Sequence, residues 1–383
     1  MVSDFASDTA AVIAAWVGGL LTAASVLCIA AIFILRAVSE RAKQTHEMVV
    51  QKWETTLFEA TDIIETDGNA KELTANARSF FELNPHLDRR DLPHLLYEWN
   101  YIHESLVGES KQGLNFLAEK VDLSELSVKM LRSPMLDKRL LAINTLGNLG
   151  DQTAYDEIEK ALSDRDSVIS SWAWRALFRI DTQRTLGEHL SLIAERKDWS
   201  PIFVARVLQE IDADICSAPL CRLVEKSYAD GIEERQMSRL ISYLSLAHVA
   251  DHTAIVNKIL LESNAMEVLI ACLRLVNSDD DLTRIREMTK DEHWEIRLHA
   301  ALTLGRLGHE EDIERLIDLL DDPDWWVRYR TASALIAIPT MTEKRVLALT
   351  ETLPNQFARD ILLQVLTEMR LLCFTQTSLT LSR

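Results

Sequence analysis

Two stretches near the C-terminus repeat one another at a fixed interval, and that interval limits the chain to few architectures. The first reads Asp291-Glu292-His293-Trp294-Glu295-Ile296-Arg297, followed by Ala300-Ala301, Leu304-Gly305 and Leu307-Gly308. The second reads Asp322-Pro323-Asp324-Trp325-Trp326-Val327-Arg328, followed by Ala332, Leu335 and Ile338-Pro339. The interval from Arg297 to Arg328 accommodates one antiparallel helix pair per repeat. An earlier copy surrounds Arg139, with Ala142, Leu146-Gly147, Leu149-Gly150 and Asp151 at matching offsets. A worn copy follows it after the same interval, where Ser170 replaces the arginine while Ala173 and Ile180-Asp181 keep the pattern. The other helix of each unit is marked by Ala154, Ile158 and Leu162, and later by Ile313, Leu316, Ile317 and Leu320, each set at helical spacing. No single pair can bury its apolar face, so neighbouring pairs must stack. The expected fold is all-α, built as an α-solenoid.

This pattern resembles HEAT repeats of the short type also found in phycobilisome lyases, over roughly residues 133–370. The resemblance implies a HEAT-like α-solenoid over residues 132–374, with degenerate units around Val204-Ala205-Leu208-Ile211, Leu240-Ile241-Leu244 and Val268-Leu269-Cys272-Leu275 and about seven units in all. It also implies a structural ladder in which Asp291 with Arg297, and Asp322 with Arg328, tie adjacent units together. A guanidinium suits that role because it can bridge a carboxylate and loop carbonyls at once. A ligand-binding role for these arginines is the alternative.

The other end of the chain has a different character. Thr9 to Leu35 carries no charged residue, and residues 10–35 read as a single transmembrane helix. At about 1.5 Å per residue the run exceeds the roughly 30 Å hydrocarbon core. A cleaved signal fits badly, because the flank before it holds Asp4 and Asp8 and no basic residue. Arg36, Arg41 and Lys43 follow the span, so residues 1–9 are expected outside the cell membrane and the C-terminal domain in the cytoplasm. Ala11, Ala15, Gly19 and Ala23 recur every four residues, a small-residue stripe suited to helix association and a homo-oligomer, or simply the alanine content of a membrane span. Cys28 falls in the span, while Cys216, Cys221, Cys272 and Cys373 lack the regular spacing of a disulfide framework.

Residues 36–131 are expected to form a helical stalk and linker domain. Val49, Trp53, Leu57, Ala60 and Ile64 continue the membrane helix as an amphipathic stalk, and Leu95, Leu96, Trp99, Ile102 and Leu106 mark a further helix ending at Gly108. Pro354 precedes a last amphipathic helix with Phe357, Ile361, Leu362, Val365, Leu366 and Met369. The tail over residues 375–383 shows no periodicity and is expected to be mobile.

Chemistry is hard to find. A formal charge of −18 disfavours nucleic acid and anionic headgroups. No His-Glu-x-x-His or Cys-x-x-Cys pair suggests a metal, and Asp279-Asp280-Asp281 lacks the alternating ligands of a calcium loop and reads as a solvated turn. Neither a phosphate cradle nor a nucleophile elbow occurs, so no cofactor and no enzymatic activity are expected. Nine tryptophans remain to be explained. Trp294, Trp325 and Trp326 fall at turns entering a helix, where a large ring can anchor a protein partner, while Trp172 is expected to plug the gap between repeats. The expectation is a membrane-anchored scaffold that binds a protein subunit of a membrane complex, for example in envelope glycan synthesis or export. The alternative is a phycobilisome-lyase-like enzyme acting on a chromophore-carrying protein.

Overall fold

The computed structural model describes Trp16, Leu20, residues 24–41, Lys43, residues 92–106, Lys111, Leu114, Asn115, Ala118, Glu119 and residues 122–380, the last ten as backbone. These residues are helical or lie in the turns between helices. They fall into two compact units, Met1–Asp181 and Thr182–Arg383.

In the first unit, α1 (Leu92–Ser105) precedes α2 (Leu123–Leu131) and α3 (Leu136–Leu149), which form one helix pair. The short α4 (Tyr155–Glu159), extended at both ends by 3-10 turns, pairs with α5 (Ser167–Ile180). Leu95, Leu96 and Trp99 of α1 are buried, and Asn100 Nδ2 donates to Thr145 Oγ1 of α3 at 2.8 Å, so α1 joins the core of the first pair. Asp166 starts α5 by accepting from the backbone N–H groups of Val168 and Ile169, which satisfies donors that a helix N-terminus leaves open. Gly150 ends α3 in the left-handed region at φ 66°, a conformation that costs glycine nothing.

In the second unit, α6 (Thr182–His189), α7 (Leu192–Glu195) and α8 (Pro201–Gln209) come first. Helix pairs follow: α9 (Ala213–Ala229) with α10 (Glu234–Tyr243), α11 (Val249–Glu262) with α12 (Met266–Leu275), and α13 (Leu282–Met288) with α14 (Trp294–Leu307). The last two are α15 (Ile313–Asp318) with α16 (Trp325–Ala337), and α17 (Glu343–Thr352) with α18 (Gln356–Thr380). The second helices α10, α12, α14, α16 and α18 pack side by side in one layer. Core residues line both sides of each pair, among them Leu240, Cys272, Leu304 and Leu335, which hold one repeat position on successive second helices.

The leucine-glycine steps of the repeat have a steric origin. A Cβ placed on Gly147 of α3 would lie 2.9 Å from both Cα and Cβ of Ala176 on α5, and one on Gly305 of α14 would lie 2.6 Å from Cβ of Ala334 on α16. Consecutive second helices therefore touch backbone to backbone at the same repeat position in both units.

The degenerate unit expected around Val204 holds the short helix α8, which Ser200 and Pro201 start and in which Val204 and Leu208 are buried. Proline pre-sets the first helical turn. One expectation differs from the structure. The last helix runs to Thr380 instead of stopping before residue 375, since no glycine or proline lies between Gln356 and Thr380 to end it.

Among the described residues no helix is long and apolar enough to cross a membrane. Of the expected span, Trp16, Leu20 and residues 24–35 are described. Ala11, Ala15, Gly19 and Ala23 lie outside the described residues, as do the stalk positions Val49 to Ile64.

Candidate protein-binding surface

The repeat arginines bond to the next unit, to their own turn, or to both. Arg297 donates through Nε and Nη2 to both carboxylate oxygens of Asp322 in the following unit, at 2.7 and 2.8 Å. Its Nη1 holds the carbonyls of Asp291 and Glu292 in its own turn at 2.9 and 3.1 Å. The carboxylate of Asp291 instead accepts from the backbone N–H of His293. Where it forms, the ladder thus runs from the arginine forward to the aspartate in the turn before the next second helix, not back to the one in its own turn. Arg139 also reaches forward, to Asp164, but by a single bond from Nη1 at 2.6 Å. Arg328 keeps the two turn carbonyls, those of Asp322 and Pro323, but Leu353 occupies the position where the next aspartate would stand. Among the described residues the ladder ends there.

The three candidate tryptophans all sit at the start of second helices and are exposed, Trp294 by 36%, Trp325 by 42% and Trp326 by 51%. Trp325 and Trp326 pack edge to face at 4.8 Å between ring centroids, and Trp325 stacks on Tyr329 at 5.1 Å. Tyr329 OH donates to Glu368 at 2.7 Å, which fixes the cluster against α18. Trp294 lies one unit earlier and is not part of this cluster. Adjacent helical positions diverge by about 100°, yet both rings of the pair lie outside the core because they occupy the first turn, where the chain is still entering the layer. Trp172, expected inside, is only half-buried and lines a groove of about 1120 Å³ with Tyr97, Tyr101 and Val168, while Trp174 is the buried ring of α5.

The exposed face of the second-helix layer also carries a pattern that the motif reading missed. Arg235, Glu267, His299 and Arg330 occupy one repeat position on α10, α12, α14 and α16. Ser238, Ile270, Leu302 and Ser333 form the next row, and Ser242, Arg274, Arg306 and Ala337 the third. The first two helices of this grid line a groove of about 880 Å³. Arg274 Nη2 lies 3.3 Å from His299 Nε2. Burial, followed by the charges of Arg274 and Arg330, pushes the His299 pKa down to about 4, so the imidazole is neutral near pH 7 and leaves the positive charge to the arginines. Arg306 turns its guanidinium to the carbonyls of Leu273, Arg274 and Val276, closing the C-terminus of α12. The grid could have been found by carrying the repeat period back into the worn middle units, but their ladder residues are missing.

The remaining candidates offer little reactivity. Burial raises the Cys216 thiol to about 11 and the Cys272 thiol to about 12, which keeps both protonated near neutral pH. The Asp279-Asp280-Asp281 run is only partly a solvated turn: Asp281 is buried before α13, and burial, then the charge of Asp280, raises its pKa.

Residues 262–366 match the family of HEAT repeats, and residues 138–164 match the PBS lyase HEAT-like repeat. The second match describes a repeat and brings no chromophore chemistry with it. No curated protein matches the chain. Among solved structures, the crystal structure of an engineered protein from the Northeast Structural Genomics Consortium is similar at 16% identity, covering 85% of this chain and 99% of that one with a TM-score of 0.34. That likeness is too loose to carry an argument. With the regular interval between repeat arginines, the stacked helix pairs and the inter-unit ladder, the two repeat matches identify HEAT-like repeats in this chain, whose described residues are helical apart from the turns.

Proposed function

We propose that the chain is a non-catalytic scaffold, tethered to the inner membrane by residues 10–35, whose repeats bind a protein subunit of a membrane complex. The observation that carries the binding role is the Trp325–Trp326–Tyr329 cluster: large rings held rigidly at the surface, against a helix layer that already has its core. Such rings bury much area at little entropic cost and dominate interface energies. The tether is supported by residues 24–35, where Val26, Leu27, Ile29, Ile32, Phe33, Ile34 and Leu35 point out on every side of one helix. An apolar surface all round a helix suits lipid and not water. Tethering raises the effective concentration of the repeats toward integral partners, and envelope glycan synthesis or export is the kind of complex proposed as host.

The test is affinity purification of the detergent-solubilised protein with and without Trp326→Ala. A partner recovered with the wild type should be lost from the variant, by roughly thirtyfold in affinity if the ring contributes about 2 kcal/mol, while the melting temperature stays within a degree or so. Loss of thermal stability with unchanged recovery would assign the ring to packing and remove the basis of the proposal.

A further inference from the structure

Resting on the scaffold reading, and going beyond it, we infer that the exposed face of α10, α12, α14 and α16 receives an acidic, extended segment of the partner protein. Its carboxylates would lie against Arg235, Arg274 and Arg330, and an apolar side chain over Ile270 and Leu302.

The charges on this face run against the rest of the molecule. The chain carries −18 overall, yet the three rows of the grid hold four arginines and one glutamate. Four arginines elsewhere are matched with carboxylates, Arg139 with Asp164, Arg286 with Asp312, Arg297 with Asp322 and Arg345 with Glu310. Arg235, Arg274 and Arg330 have no carboxylate within 4.0 Å among the described residues. Arg330 lies 6.0 Å from the Tyr329 ring and Arg274 beside a neutral imidazole, so both keep donors for a ligand. An arginine fork is the group best suited to holding a carboxylate by two bonds.

Geometry favours a polypeptide. Packed helices are about 8–10 Å apart, and an extended chain in the polyproline-II conformation rises about 3.1 Å per residue with three residues per turn, so roughly three residues cross each repeat and every third side chain returns to the same face. An acidic residue at every third position therefore keeps register with the layer. The middle row, Ser238, Ile270, Leu302 and Ser333, offers apolar contact between two polar rows, a pattern that a phosphate backbone would not use.

The probe is a fluorescein-labelled peptide of four Glu-Leu-Ser units, titrated with the full chain in non-ionic detergent and followed by anisotropy. A matched Lys-Leu-Ser peptide, a single-stranded oligonucleotide and phosphatidylglycerol vesicles run beside it. The acidic peptide should bind, the lysine peptide should not, and salt should weaken binding. Arg235→Glu with Arg330→Glu should reduce affinity at least tenfold; both side chains are exposed, so the melting temperature should hold. Absence of binding by the acidic peptide, binding untouched by the double reversal, or equal binding by the oligonucleotide or vesicles would overturn the inference. If Trp326→Ala abolishes partner recovery while the double reversal leaves it intact, the scaffold stands and this face is not where the partner docks.

Discussion

Replacing Gly305 with alanine tests whether the repeat units are locked by backbone contact. The new Cβ would lie 2.6 Å from Ala334 Cβ, 2.7 Å from its carbonyl oxygen and 2.8 Å from its Cα. Carbon atoms in contact sit about 3.5–4.0 Å apart, so α14 and α16 must part by roughly 1 Å where they cross. No rotamer change relieves the clash, because the neighbours are backbone and Cβ atoms. Overpacking of this kind costs about 1–3 kcal/mol, and a radial gap of about 0.5–1 Å forfeits a quarter to a half of each opened dispersion contact. Alanine returns about 0.8–1 kcal/mol of helix propensity. The balance is a net loss of about 1–2 kcal/mol, and at about 2–4 °C per kcal/mol for a body of this size the melting temperature falls by roughly 2–8 °C. Gly147→Ala acts in the same direction and less strongly, its nearest contacts being 2.9 Å.

Gly187 supplies the control. It lies inside α6 with nothing within 4 Å of an added Cβ, so Gly187→Ala should gain helix propensity and raise stability by up to about 1 kcal/mol. Far-ultraviolet circular dichroism melts and urea midpoints of the full chain in detergent measure all three variants. If Gly305→Ala melts at or above the wild type, the close-approach argument is refuted, since the propensity gain alone would then account for both glycines.

Two further expectations concern charge. Arg297→Ala leaves Asp322 buried, with the backbone N–H of Asp324 as its remaining donor among the described residues, and should cost about 3–5 kcal/mol; Arg328→Ala gives up two bonds to turn carbonyls and should cost about 1–2 kcal/mol. Equal losses in denaturant titrations would show that the inter-unit pair is not what distinguishes them. His103, stacked on Trp99 at 4.7 Å, has its pKa pushed down to about 4 by burial first and then by the charges of Lys111 and Arg179, and His299 is lowered to about 4 as well. Between pH 6.5 and 4 the unfolded chain binds more protons than the folded one, so stability should fall as pH drops through that window and level off below it. His103→Gln with His299→Gln should flatten the slope of unfolding free energy against pH there; an unchanged slope would place the titrating groups elsewhere.

What the sequence determined was whatever repeats with the chain. The regular interval from Arg297 to Arg328, and the leucine-glycine steps near them, were enough for stacked helix pairs, because a helix pair with one apolar face has no other way to bury it. The exposed tryptophans were also open to suspicion from their place at helix starts. The ladder was legible only in its residue types. Asp291 and Arg297 share one turn of the chain, but the bond joins Arg297 to Asp322, because the guanidinium projects toward the next unit and its own turn presents carbonyls instead.

Tertiary structure decided what depends on neighbours from other units. Gly147 and Gly305 are requirements only because Ala176 and Ala334 face them across a helix crossing, a contact with the following repeat that no local pattern encodes. The basic face likewise exists only once the layer is assembled. Arg235, Arg274 and Arg330 come from three different repeats, and in a chain with 59 acidic residues each looks like one more scattered surface charge until packing brings them to one face and leaves carboxylates out of reach. Sequence periodicity fixes which side of each helix must be buried; which exposed sides meet, and what charge they hold in common, is set by the register in which the helices stack.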